Sequence, residues 1–420
     1  SLGFGSIIAY GSGTLKIIKV TFGPLSTFSV GAFQAAPACA AIFAPLLWNF
    51  LIKRFRLKIC ASILGFSGLV FWLLLLTMNK KYFWVTILIR GLLGITLAGC
   101  SAITPLYLAR IAPENQKGFY TTLHCVFIII GHIVINLLGV THKWQPPIYI
   151  NAAFLFILGS LIYLVPDDIP LKKTETTNEG TSLDLTATDS QVDDEQPKLK
   201  IFDKKIVKQT IICVLLLFLL QFSGIGSIMQ NLSPLMSEVG LDIEAGYQAT
   251  VAICAQLIPT FFSSFLIDRW GCRFLWNLST FGSGVSLLLY SLNIKFEWSK
   301  WLPMVFLFCF QFFFGCGTGS VPWIYPSKVL PEEVRSAVLS LGTSSTWLAA
   351  TIVMFLFPYL QDWFGQFGLM LILSGVSFLN FVIGLIFVHD YHVDEQGNLI
   401  KENKNNNTGD NHNKHSPLLN

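Results

Sequence analysis

Gln221, Ser223, Gln230, Asn231 and Gln256 stand inside long apolar runs, as do Gln34, Asn136, Gln311 and Thr346. Amides and hydroxyls both donate and accept hydrogen bonds, so an uncharged set of them suits a neutral, polyhydroxylated ligand. Trp323 and Trp347 lie in runs of the same kind. An indole offers a broad apolar face with one polar edge, which fits the C–H side of such a ligand while amides read its hydroxyls. Taken singly, each polar residue would serve equally well as a hydrogen bond between helices in lipid.

The groups that are missing narrow the chemistry further. No Asp or Glu falls in the middle of an apolar run, and Arg90, His124 and His132 are the ionisable residues inside one. Charge at bilayer depth is costly and normally functional, so this interior points to an uncharged solute without proton coupling. His124 and His132, two helical turns apart, could share a face as a proton relay; a histidine held by a neighbouring helix is the simpler reading. No nucleophile–base pair or metal motif is present, and Gly315, Gly317 and Gly319 lack the Lys-Ser/Thr of a phosphate loop. Neither an enzyme nor a cofactor or metal is therefore expected. Nine scattered cysteines show no zinc spacing and no secreted disulfide framework. A net charge of +4 makes no case for nucleic acid.

The elements that must position these residues are membrane spans. Hydrophobic residues are 53% of 420 and charged residues 12%, against about 25% charged in soluble domains. A spanning helix needs about 20 mostly apolar residues. Twelve segments qualify, near 2–22, 28–51, 59–78, 83–109, 119–140, 147–165, 207–236, 245–267, 274–293, 301–326, 337–359 and 367–388. The fold class expected is an all-α polytopic membrane protein. It divides into a six-helix half over 1–165, a linker over 166–206, a second half over 207–389 and a tail over 390–420. Lys172 to Lys205, rich in Thr, Asp, Glu and Lys, reads as solvated chain. No cleavable signal peptide is visible. Lys and Arg concentrate in the linker and the loops on its side, which places both termini in the cytoplasm. Trp48, Trp84, Trp144, Trp298, Trp301 and Trp363 fall near span ends, as interfacial aromatics do.

The halves repeat each other. Leu51 to Lys58 reads LIKRFRLK and Leu266 to Arg273 reads LIDRWGCR; Arg110 to Gly118 (RIAPENQKG) answers Lys328 to Ser336 (KVLPEEVRS) at nearly the same offset. Parallel six-span repeats are a transporter architecture with the solute held between halves. Gly224 and Gly226 interrupt the seventh span, and Gly315, Gly317, Gly319 and Pro322 the tenth. Paired interruptions of this kind point to a binding site.

From about Ser1 to Val388 the chain resembles the sugar porters of the major facilitator superfamily, among them facilitative glucose and trehalose transporters. Five stretches carry the resemblance: Arg90 to Gly99, Pro105 to Gly118, Gln221 to Gly226, Leu266 to Arg273 and Gly317 to Pro331. It implies sugar contacts at Gln221, Gln256, Trp323 and Trp347, beside which Ser223 of the polar interior is a further candidate, and an outer gate at Gln230 and Asn231. It implies an inner gate at Arg54, Arg110, Asp268, Arg269, Arg273, Lys328, Glu332 and Arg335. Departures are many. Leu220, Gly226, Cys125 and Thr346 replace hydrogen-bonding residues of the family, and Arg110 and Lys328 replace glutamates that normally meet loop arginines. Cations there would repel that loop by tenths of a kcal/mol to a few, by exposure. The terminal P-E-T-K-G motif is absent. The function implied is facilitative uniport of a neutral sugar or polyol across a plasma membrane. A non-transporting sugar sensor and a proton-coupled symporter are the alternatives. The lipid bilayer is the other partner, and a monomer is compatible with the sequence.

Overall fold

The computed structural model describes residues 1–111, 117–164, 206–393 and 399–401. The linker, apart from residue 206, and most of the tail lie outside the described residues. With no water in the hydrocarbon core, a spanning chain must satisfy its backbone internally, which selects helices. The first half is α1 (Leu2–Phe22), α2 (Thr27–Arg54), α3 (Leu57–Leu74), α4 (Phe83–Ile111), α5 (Lys117–Gly139) and α6 (Pro146–Leu161). Local signals set the helix starts. The Ser26 hydroxyl accepts the Ser29 N–H at 3.2 Å ahead of α2, and Pro146 opens α6 where its missing N–H costs nothing.

The second half is interrupted. Its seventh span is α7 (Val207–Phe222) and α8 (Ile225–Val239), and its eighth is α9 (Ala245–Cys254), α10 (Leu257–Phe261) and α11 (Ser263–Trp270). The ninth is α12 (Cys272–Phe296), and the tenth is α13 (Leu302–Cys316) and α14 (Val321–Val329). The last two spans form α15 (Glu332–Phe387), and β1 (Tyr391–Val393) pairs antiparallel with β2 (Leu399–Lys401). Gly224, at φ +81°, turns the seventh span where an L side chain would be strained. The tenth breaks at the expected glycine run. The break in the eighth was not expected; Pro259, which cannot donate to the carbonyl four residues back, is its sequence correlate. Thr346 Oγ1 donates to the Leu217 carbonyl and Asn380 Nδ2 to the Leu219 carbonyl, so α15 doubles back along α7. The turn is at Gly365, φ +65°. Among the described residues, seven stretches are by themselves long and apolar enough to cross a bilayer.

Within the first half α1 packs on α5, α2 on α4 and α3 on α6; between halves α1 meets α8, α2 meets α15, and α5 meets α9 and α10. Under a parallel repeat the second and eighth spans correspond, as do the fifth and eleventh. The two pairings 2–11 and 8–5 are therefore images of each other, and 1–7 lies on the axis between them. The cores interlock accordingly: Trp347, Ala350 and Met354 belong to the apolar core of the first half. We call the end with the 166–206 connection the linker face and the other the far face. Trp84, Trp298, Trp301 and Trp363 are exposed at span ends, as expected. Trp48 and Trp144 are not; both are buried, and Trp48 Nε1 donates to the Ile95 carbonyl at 2.8 Å. An available carbonyl outcompetes the interface for the indole.

The α1–α5 contact depends on small residues. A Cβ added at Gly5 would run into the Ile128 carbonyl oxygen, and one at Gly131 into that of Leu2. At Gly13 it would lie 2.5 Å from the Ile135 oxygen. Such close approach is the usual way helices associate in lipid, where no hydrophobic force drives them together. Gly131→Leu should lower the unfolding temperature in detergent, with a cost near the upper end of the ~1–3 kcal/mol range for overpacking. Gly375→Leu is the matched control, since nothing lies within 4 Å of its added Cβ; it should melt like the native protein.

Candidate functional site

The site lies along the seam between the halves. Gln34 Nε2 on α2 donates to Asn231 Oδ1 on α8 at 2.7 Å, and Asn231 Nδ2 returns a bond to Gln34 Oε1 at 3.3 Å. Gln230 Nε2 donates to the Gln34 backbone carbonyl at 3.0 Å and approaches Met354 Sδ at 3.1 Å. Ser12 Oγ accepts the Ser233 N–H at 3.0 Å and donates to Asn136 Oδ1 at 2.6 Å. Gln34 is fully buried and Gln230 and Asn231 nearly so. These bonds form a clasp of neutral groups toward the far face. Nearer that face, a cavity of about 550 Å³ has Asn231 in its lining with Lys16, Lys19, Glu238 and Asp362. Thr27 Oγ1 donates to Asp362 Oδ2 across it at 2.6 Å.

On the linker side of the clasp the polar groups are unspent. Gln221 Oε1, Gln256 Oε1 and Trp347 Nε1 are buried with no hydrogen-bond partner among the described residues, as is Gln230 Oε1. Buried polar groups are normally paired, so open ones in helices that face the other half are groups a polar ligand would complete. Phe4 packs against both Trp347 and His124, ring centroids 6.0 and 6.4 Å apart. Trp323, on α14, is 42% exposed. Ser223 donates its hydroxyl to the Leu220 carbonyl at 2.7 Å at the end of α7, which leaves its oxygen only as an acceptor. Gln230 and Asn231, expected as an outer gate, both bond Gln34 across the seam, a pairing that no sequence spacing announces.

The histidines do not form a relay. His124 Nδ1 meets Ser1 Oγ at 2.8 Å and His132 Nδ1 the Ile128 carbonyl at 2.9 Å. Arg90 is a residue the sequence reading undervalued. Fully buried, it donates to the Ile7 carbonyl at 3.0 Å and the Phe33 carbonyl at 3.5 Å. It also lies over the Tyr10 and Phe33 rings at 5.3 and 4.9 Å. Carbonyls and ring faces, rather than a carboxylate, hold this cation.

At the linker face, Lys328 Nζ stands 3.5 Å from Asp268 Oδ1. The expected repulsion at Lys328 is thereby corrected, because the same loop that carries Arg269 and Arg273 also supplies a counter-charge. Arg273 Nη2 donates to the Leu385 carbonyl at 2.9 Å, and Arg335 Nη2 to those of Ser327 and Leu330 at 3.3 Å. All these bonds stay within the second half. Arg54 and Arg269 are exposed. Arg110 and Glu332 lie in α4 and α15, with side chains outside the described residues. Asp390, read as the start of a tail, instead caps α12: its Oδ1 accepts the N–H groups of Cys272 at 2.7 Å and Arg273 at 3.1 Å. A carboxylate is stabilised at a helix N-terminus; a lone Asp just after the last span was the available signal.

Two six-span halves meeting about a pseudo-twofold axis, with an amide clasp across the seam between them, have the architecture of the major facilitator fold. The family described as sugar (and other) transporter matches residues 13–392, and the chain belongs to it. It is 26% identical over 86% of its length to a sugar transporter of Arabidopsis thaliana (ERD6-like 16), covering 80% of that protein. It is 25% identical over 83% of its length to the facilitated glucose transporter member 2 of Bos taurus, covering 73% of that protein. The crystal structure of a D-xylose-proton symporter shares the fold, with a TM-score of 0.76 at 18% identity over 93% of this chain and 95% of that one. The chain is thus a multi-pass membrane sugar transporter and not an enzyme.

The clasp makes a double-mutant prediction. Gln34→Leu or Asn231→Leu alone strands a buried amide, at about 1–3 kcal/mol. The double Leu variant removes both partners and should melt closer to the native protein than either single variant. Thermal unfolding of the four proteins measures this; additive losses would show that the amides are not paired.

Proposed function

We propose that the chain carries a neutral sugar, of the hexose or trehalose class, by facilitated diffusion with alternating access. The observation that carries this reading is the set of open polar atoms at Gln221, Gln256 and Trp347 in helices that face the other half. The groups are uncharged, as a neutral polyol requires. Arg90 supports uniport: its partners among the described residues are carbonyls and rings rather than a titratable carboxylate that could exchange a proton during the cycle. We place the linker face in the cytoplasm of a plasma-membrane protein, from its basic loops. In that orientation the clasp of Gln34, Gln230 and Asn231 lies toward the outside. The residues from 1 to 165 and from 207 to 389 are then the two moving halves.

The test is counterflow of labelled sugar in proteoliposomes. Uptake should be insensitive to an imposed pH gradient; uptake that collapses with an uncoupler identifies a proton symporter instead.

The altered gate favours one second reading, a sugar sensor that binds but does not transport. Cations at Arg110 and Lys328 leave the linker-face closure without the glutamates that relatives of this kind are expected to use. Uptake by the native protein should equal or exceed that of Arg110→Glu/Lys328→Glu. Uptake that appears only in the double variant identifies a sensor.

A further inference from the structure

Met354 reaches over the seventh span at the point where its polar wall ends. Gly226 follows the α7–α8 break, and a Cβ there would lie 3.1 Å from Gln221 Oε1 and 2.5 Å from Met354 Cε. The methyl of Met354 therefore fills the space a side chain at residue 226 would occupy, beside the open oxygen of Gln221. Met354 is buried, and its sulfur already faces Gln230 Nε2 at 3.1 Å. Gln230 Nε2 in turn is committed to the Gln34 carbonyl, and its open Oε1 faces α1, 3.2 Å from where a Cβ at Gly11 would stand. Moving from Gln221 toward the far face, the next surface a ligand meets is thus a methyl group whose thioether, a weak acceptor at best, is engaged elsewhere. Trp347 lies two helical turns earlier on the same helix, and its indole N–H has no partner. The site is polar at the level of Gln221, Gln256 and Trp347 and apolar at its far-face end.

We propose that Met354 is a specificity-determining residue, and that it selects sugars lacking a hydroxyl at the end turned toward the far face. The favoured class is then deoxy or methyl-ended monosaccharides and polyols. A hydroxyl pressed against Met354 would lose its water partners and gain none, and such a group is disfavoured when buried. The discrimination expected of an apolar wall against an added hydroxyl is modest, up to about a hundredfold. This inference rests on the carrier reading above.

The test is binding of glucose, and of the analogues each lacking one hydroxyl, to the purified full-length protein. In the native protein one analogue should bind at least as tightly as glucose. Met354→Gln, which supplies a donor and an acceptor at the methyl's position, should move the ratio of that analogue to glucose about tenfold toward glucose. Gly226→Asn/Met354→Ala refills the same space with an amide from the other helix and should move it in the same direction, so the result does not depend on one variant folding. Met354→Leu should keep the native preference. Weaker binding of every analogue in the native protein, with ratios unmoved in both polar variants, overturns the role of Met354 and leaves the carrier reading standing. Binding of no sugar at all overturns the carrier reading and this inference with it.

Discussion

A polar group in the hydrocarbon core of a membrane has no water to bond, so it must find a partner in the protein or wait for one that arrives. That constraint sorts the interior of this molecule. Arg90 takes carbonyls from α1 and α2 and two ring faces, tying three helices into one body. Trp48 and Asn380 each take a carbonyl of a neighbouring helix. Gln34 and Asn231 satisfy one another across the seam, and Gln230 Nε2 takes the Gln34 carbonyl. Gln221, Gln256 and Trp347, in helices that face the other half, are among the residues that retain open polar atoms. On the carrier reading proposed above, a polar ligand is the partner that would complete them.

Two kinds of signal decided what the sequence made legible. Features confined to one segment were readable: apolar length marked the spans, Gly224 and the Gly315–Pro322 stretch marked two of the three interrupted spans, and the LIKRFRLK and LIDRWGCR loops marked the repeat. Features that join distant segments were not. Gln34 and Asn231 sit on different halves, and nothing in either stretch marks them as mutual partners. Met354 looked like any apolar residue of its span, because its importance lies in the absence of a side chain at Gly226. Ser223 carried a motif position yet bonds its own helix. Asp390 was assigned to a tail since its partners are backbone N–H groups of another loop. Lys328 looked repulsive in a count of charges and is paired in space.

The two faces are held by different physics. Toward the far face, the clasp joins the halves through buried neutral amides, and exposed contacts of Thr27 with Asp362 and His142 with Glu244 lie beyond it. At the linker face, the described bonds of Asp268, Arg273, Lys328 and Arg335 stay inside the second half. An ion pair as exposed as Lys328–Asp268, with the carboxylate 76% exposed, contributes about 0–1 kcal/mol. It orders a loop without locking the halves.

Neutral amides suit a seal that must open. A buried ion pair gains strength from a low dielectric and is costly to separate there, since each partner is left as an uncompensated charge. An amide pair exchanges its bonds for bonds to water at a net cost of about 1 kcal/mol each. When the seam parts, water reaches Gln34, Gln230 and Asn231 from the cavity lined by Lys16, Lys19, Glu238 and Asp362. Closed and open states can then lie within a few kcal/mol of each other, the range in which a ligand's differential affinity shifts populations. A charged latch at the same depth would hold one state too firmly for a neutral solute to reverse. The uncharged interior therefore serves two ends, reading a neutral ligand and keeping the closed state escapable.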